Sequence, residues 1–376
     1  MKKSKKRKSL SEDQLLARTK SAFKRKIRNI FTGAGFTYIP VNDHEMTIGF
    51  RKVEVDALFI YQNIWILCED TVKTTDVKDH IRTKNEAFGE IYRSMSAYIT
   101  NLNDLFPEHA GTINNFEVSR IKVFGLYISK NQLDLTSDDY KMFGNLTFVS
   151  PQTLSYFQWI VQAIKNSARN EIFRFLNIKN SDIGIITSGS DSTQIQAPII
   201  YPQAFTGIKN NVRIVSFMMS AEDLLNTSYV LRKDNWEQSI WLYQRLIERN
   251  KIKKIREFLE KKGEAFYNNI IVALPDSVAF LDQSNQYKKV DQIAELEGNC
   301  KLILPREMNS ICVIDGQHRI FAHYESGIPS KQEERIGKLR KQLHLLVTGL
   351  VFPPEMSNAD RVRIQSEIFL GSMSIY

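Results

Sequence analysis

Between residues 310 and 324 a β-branched apolar run, Ser310-Ile311-Cys312-Val313-Ile314, passes through Asp315-Gly316-Gln317-His318-Arg319 into Ile320-Phe321-Ala322-His323-Tyr324. The first run reads as a buried strand, and the last carries apolar side chains at helical spacing. A chain that turns through glycine into a helix leaves the first N–H groups of that helix without intrahelical partners, free to donate to an anion that approaches the turn. Asp315 is positioned to cap the helix or to hold a metal or a ribose hydroxyl. Gly316 lets the backbone approach a ligand, and His318 and Arg319 carry donors for charge-assisted bonds to phosphate oxygens. The same five residues also suit a plain tight turn with an Asp cap and a surface arginine.

Upstream, Tyr243-Gln244-Arg245 reads as the opening of a basic amphipathic helix that runs to about residue 262, and residues 268–274 read as the next strand. Taken alone, Trp241 and Tyr243 fit helix-face core aromatics, and Arg245 fits a surface charge. Together with the DGQHR string, this order resembles the DGQHR-domain family, whose best-known members are the DndB-type proteins of DNA phosphorothioation and related DNA-modification and phage-defence operons. That family is in turn related to the ParB/sulfiredoxin-like α+β nucleotide-binding fold. The resemblance covers roughly residues 198–370. It implies that Asp315, Gly316, Gln317, His318 and Arg319, with Tyr243, Gln244 and Arg245, bind a nucleoside triphosphate such as ATP or CTP. In the family the helix that here reads as residues 359–370 is followed by a short Ile-Asn element and more helices. This sequence ends at Tyr376 and on that comparison reads as a truncated or diverged member.

The formal net charge of +9 is concentrated at one end: residues 1–42 hold twelve Lys or Arg against Glu12 and Asp13, so the remainder is close to neutral. Residues 1–10 read as a basic disordered tail. From Ser11 a helix is expected, with Leu16, Phe23, Ile27 and Ile30 on one face and Arg18, Lys20, Lys24, Arg25, Lys26 and Arg28 around the other. Such a surface suits the phosphates of double-stranded DNA, through Lys20, Lys24, Arg25, Lys26 and Arg28, and equally suits a solvated basic helix. No apolar run approaches the roughly 20 residues of a membrane span, and no apolar core follows the amino-terminal charges, so a cytoplasmic protein without a membrane partner is expected. Cys68, Cys300 and Cys312 lack metal-like spacing, and they read as buried and reduced.

At 376 residues, 43% of them hydrophobic, the chain is long enough for two cores. The first half reads as α/β: strands near 37–39, 46–50, 53–61, 64–69, 122–129 and 146–149, a long helix over 77–99, and helices near 154–164 and 168–176. The Ser/Gly-rich stretch at 180–197 reads as a linker, giving a first domain over 11–179 and a second over 198–376.

Asp56 and Glu69 fall at the ends of adjacent expected strands, where two carboxylates are able to share a divalent cation. With the helix, β-meander, long helix and strand around them, they resemble the PD-(D/E)xK restriction-endonuclease-like fold, in which an Asp and a Glu hold Mg²⁺ and a Lys two residues beyond the Glu helps orient water. Here that position holds Thr71, so Lys73 is expected to supply the cation if the strand continues that far, with Lys84 as the other candidate. The resemblance implies Asp56, Glu69 and Lys73 as catalytic residues if the domain cleaves DNA. The expected whole is an α/β protein of two domains, a nucleotide-regulated DNA-binding protein of a bacterial DNA-modification or phage-defence system with NTP hydrolysis and DNA-modification proteins as partners within that scope. A metal-dependent nuclease with a nucleotide sensor and a non-enzymatic DndB-like transcriptional regulator are the alternatives.

Overall fold

A computed structural model describes residues 11–184, 192–196, 198–201, 203–208, 211–232, 236, 244–266, 268–282, 286–288 and 300–374. The protein is mixed α/β and divides into two compact units, Met1–Gln158 and Trp159–Tyr376.

In the first unit, helix α1 (Glu12–Gly33) opens on a capping box in which Ser11 Oγ accepts the Gln14 N–H and Gln14 Oε1 accepts the Ser11 N–H. Its buried stripe is Phe23, Ile27, Ile30 and Phe31. The stripe was expected to start at Leu16, but Leu16 is about half exposed, so the first turns of α1 stand clear of the core. Phe31 stacks on Phe59 with ring centroids 4.5 Å apart. Strands β1 (Thr37–Ile39), β2 (Met46–Ile48), β3 (Arg51–Val53), β4 (Ala57–Tyr61) and β5 (Ile64–Thr71) follow, β2 and β3 forming a separate hairpin. The helix expected over 77–99 breaks at Ser94 into α2 (Val77–Arg93) and α3 (Met95–Leu105), because Ser94 takes a non-helical conformation (φ −123°, ψ 43°). Beyond α4 (Ala110–Ile113) come β6 (Lys122–Ser129), α5 (Ser137–Met142), β7 (Thr147–Val149) and α6 (Pro151–Ile164).

These strands make a five-stranded sheet in the order β1-β4-β5-β6-β7. β4 is antiparallel to both neighbours, whereas β5, β6 and β7 run parallel, with Ile64 to Thr71 paired to Lys122 to Ser129. Alternation along β5 sends Trp65 and Leu67 into one core with Ile81, Phe88 and Ile91 of α2. α2 lies so close to β6 that a Cβ on Gly125 would come within 2.4 Å of Tyr92 Oη and 2.6 Å of Phe88 Cδ2.

The division between units falls within α6, upstream of the stretch expected to be a linker. The second unit continues with α7 (Arg169–Phe175), β8 (Ser192–Gln196), β9 (Ile199–Tyr201), α8 (Gln203–Thr206), β10 (Arg213–Ser220), α9 (Ala221–Thr227), β11 (Ser228–Tyr229) and α10 (Arg249–Lys262). It then runs through β12 (Ile270–Ala273), β13 (Ala279–Leu281), β14 (Tyr287–Lys288), β15 (Lys301–Pro305), β16 (Ile311–Asp315), α11 (Gln317–Phe321), α12 (Lys331–Gln342), β17 (His344–Val351) and α13 (Asn358–Ser374). Part of the expected linker is thus strand: β8 pairs antiparallel with β15 at the edge of a four-stranded sheet, order β14-β13-β15-β8. An edge strand buries little, here only Ile195, so its polar sequence resembles a loop.

The other sheet has six strands, β11-β16-β12-β17-β10-β9, with a parallel β12–β17 pair at its centre and an eight-residue antiparallel ladder between β17 and β10. Ala273, Cys312, Ile314, Leu350, Phe352, Ile364 and Phe369 form a core between this sheet and α13. Cys68, Cys300 and Cys312 are buried free thiols. No helix among the described residues is long and apolar enough to cross a membrane.

Candidate functional site

In the first unit, Asp56 lies just before β4, and its side chain accepts from Lys24 Nζ at 2.6 Å and from the Asp70 N–H at 2.8 Å. Glu69, on the α2 side of β5, is 3% exposed. Its Oε2 lies 2.9 Å from Lys84 Nζ and its Oε1 3.2 Å from His80 Nε2. His80 and Lys84 are four residues apart on α2 and therefore share a helix face. The other ring nitrogen of His80 is 2.8 Å from the Tyr127 hydroxyl.

Three expectations change here. β5 ends at Thr71, and Lys73 lies beyond it, exposed, with its N–H bonded to Thr71 Oγ1, so the strand does not carry Lys73 alongside Glu69. Lys84 delivers the ammonium instead. Glu69 was expected at a strand end able to share a divalent cation, yet α2 packs over that strand end and buries it. Each carboxylate of the pair already has an ammonium within 2.9 Å. A divalent cation would have to displace Lys24 or Lys84, and among the described residues no group of three or more His, Cys, Asp and Glu is arranged to hold a metal ion.

Burial raises the pKa of Glu69, with the charge of Asp56 adding to it and His80 and Lys84 opposing. Burial and the neighbouring Asp56 charge push Asp70 up to about 7. Because the folded-state value lies above that of an unfolded Asp, the native state holds a proton that the unfolded chain has released between about pH 4 and 7, and stability falls as pH rises through that window. Asp70→Asn is expected to remove this slope, so that the variant matches wild type near pH 4 and exceeds it at pH 8. Urea denaturation at both pH values checks this, and an equal gain at both would contradict it.

On α1, Lys24 is spent on Asp56, and Lys26 is half-buried with its ammonium pKa lowered by burial. Lys20, Arg25 and Arg28 are exposed, with the Arg28 guanidinium 5.8 Å from the Tyr38 ring centroid. Three of the five expected DNA contacts thus stand on open surface.

In the second unit, β16, Gly316 and α11 form the expected strand, turn and helix. Gly316 has φ 97°, and a Cβ there would sit 2.9 Å from Arg319 Nη2 and 3.0 Å from Ile270 Cγ1. With α10 and α13, the turn walls a cleft of about 270 Å³ containing Gln244, Arg245, Glu248, Lys251, Ile255, Asp315 to Arg319 and Phe369. Gln317 is buried: its Oε1 accepts from Arg232 Nε at 3.1 Å, and its Nε2 donates to the Arg245 carbonyl at 3.1 Å. Arg232 is wholly buried, ion-paired with Glu171, and 5.1 Å from the Phe321 ring centroid.

The charges in the cleft differ from those expected. Arg319 Nη2 donates to the Asn269 carbonyl at 2.7 Å and to Asp315 Oδ2 at 3.1 Å, so this guanidinium is engaged within the fold. His318 Nε2 accepts the Glu248 N–H at 3.0 Å, and burial, aided by the Lys251 charge, pushes its pKa down to about 4. It is therefore a neutral ring near pH 7 and gives no charge-assisted bond. Lys251 is paired with Glu248 at 2.7 Å. Arg245 is exposed and makes no ion pair among the described residues. Because α11 spans only five residues, Arg245 rather than a helix dipole is the main attraction for an anion.

Gln244 and Arg245 precede α10, which starts at Arg249, so the expected helix does not begin at the YQR string. The Gln244 N–H bonds to the Leu231 carbonyl at 3.1 Å, and its side-chain Nε2 donates to the Val313 carbonyl. Tyr243 and Trp241 lie outside the described residues.

Buried supports behind the turn escaped the sequence reading. Arg256 donates to the carbonyls of Ala322 and Tyr324, Arg340 donates to those of His323 and Tyr324, and both pair with Glu333. They satisfy the carbonyls of the three residues that follow α11. Nothing in their local sequence separates them from neighbouring surface cations.

No protein-family model matches the chain, and neither a curated protein nor a solved structure matches it.

Proposed function

We propose that this chain is a nucleotide-regulated DNA-binding protein of a bacterial DNA-modification or phage-defence system, with ATP or CTP held in the second unit and duplex DNA on the exposed basic face of α1. The observation that carries the reading is the cleft at Asp315 to Arg319, whose wall is held by the buried Arg232–Gln317 contact and offers Arg245 to an anion. A wall fixed beforehand lowers the ordering cost of binding. It also supports a DGQHR-type domain of ParB/sulfiredoxin-like α+β fold. NTP hydrolysis and contact with other DNA-modification proteins belong to the same reading.

The order of α1, the strands, α2 and β6, with Asp56, Glu69 and Lys84 converging, supports a restriction-endonuclease-like first unit. Lys24 seated on Asp56 and the burial of Glu69 favour DNA binding over cleavage.

Substituting Lys20, Arg25 and Arg28 together by alanine is expected to weaken duplex binding and to lower the slope of log affinity against log salt by up to about 2.7, roughly 0.9 for each lost phosphate contact. Fluorescence anisotropy across a salt series, with and without ATP or CTP, measures both effects. An unchanged slope, or a duplex affinity indifferent to either triphosphate, would refute the assignment it tests.

A further inference from the structure

Gln244 is 1% exposed, and only half of its amide is used: Nε2 donates to the Val313 carbonyl, while Oε1 has no hydrogen-bond partner among the described residues. The Val313 carbonyl settles the orientation of the amide, since turning it over would set two oxygens against each other. A buried acceptor without a donor costs free energy in the empty protein, and a ligand that brings a donor recovers it.

Gln244 stands in the wall of the same cleft as Asp315 and Glu248, so this wall holds one buried amide oxygen together with two carboxylates. Asp315 uses Oδ2 on Arg319 and Glu248 uses Oε1 on Lys251, which leaves each with a second oxygen. A phosphate carries no donor at neutral pH and would be repelled by the carboxylates. Nucleobase edges set acceptors beside their donors, so a base here would turn lone pairs toward the same oxygens. Sugar hydroxyls are free of that conflict, because each is able to rotate its hydrogen toward an acceptor.

We propose that Gln244, Asp315 and Glu248 bind the ribose hydroxyls, so that the cleft selects ribonucleoside over deoxyribonucleoside triphosphates. The inference rests on the nucleotide reading above and adds the part of the nucleotide that is recognised. Arg245 is left for the phosphates.

The test is calorimetry of the full chain with ATP and CTP and with their 2′-deoxy and 3′-deoxy counterparts. Wild type is expected to bind the ribonucleotides tighter than at least one deoxy form by about tenfold or more, the usual consequence of leaving a buried acceptor unpaired. In Gln244→Met, with folding checked by thermal melting, that ratio is expected to shrink. Equal affinity of wild type for ribo and both deoxy forms overturns the ribose assignment and leaves nucleotide binding standing. Discrimination among bases without discrimination between sugars overturns it in favour of a base contact. Binding of none of these triphosphates overturns the nucleotide reading and this one with it. If Gln244→Met does not fold, the wild-type comparison alone decides.

Discussion

Glu171→Ala is expected to lower the stability of the second unit by about 3–5 kcal/mol, the range seen when one partner of a buried ion pair is removed. Arg232 has no exposed surface and donates from Nη1 to Glu171 and from Nε to Gln317. Without the carboxylate, a guanidinium stays in the interior having lost its Glu171 partner, and water cannot take the place of Glu171 unless the packing opens. Because Gln317 also donates to the Arg245 carbonyl, the loss should spread into the cleft wall. Glu171→Gln keeps an oxygen acceptor and is expected to lose less. Urea denaturation of both variants is the measurement, and a loss below about 1 kcal/mol for Glu171→Ala would mean that Arg232 is compensated elsewhere.

Arg245→Ala and Arg319→Ala are expected to separate binding from stability. Arg245 is exposed at the cleft, so its removal should weaken ATP or CTP binding by about 1.5–3 kcal/mol, the worth of a charged hydrogen bond, while the melting temperature stays near wild type. Arg319 ties α11 to the Asn269 carbonyl and to Asp315, so its removal should lower the melting temperature as well. Calorimetry and thermal melting on the same samples distinguish the two. If Arg319→Ala abolished binding at unchanged stability while Arg245→Ala bound normally, the roles given to these arginines would have to be exchanged.

The parts of this protein that were legible early depend on neighbours in sequence. The strand, glycine turn and helix at 311–321 follow from β-branched spacing and from the one residue free to take φ 97°. β6 was expected at Lys122–Ser129 and is found there, because a parallel strand buried over most of its length reads as a nearly continuous apolar run. The break at Ser94 was hidden, since apolar spacing continues through it and only the non-helical backbone at Ser94 separates the two helices.

The sequence by itself determined which chemistry is on offer: the carboxylates at 56, 69 and 70, the cations of α1, and the acceptors and cations around Asp315. Only the tertiary structure decided which of these groups meet and in what charge state. Lys84 rather than Lys73 reaches Glu69 because α2 packs across β5 where that strand ends. Arg319 is engaged inside the fold because β12 brings the Asn269 carbonyl beside it, and His318 is neutral because α11 buries it against Glu248 and Lys251. Distance and desolvation set the strength of a charge, and both are properties of packing between segments far apart in the chain.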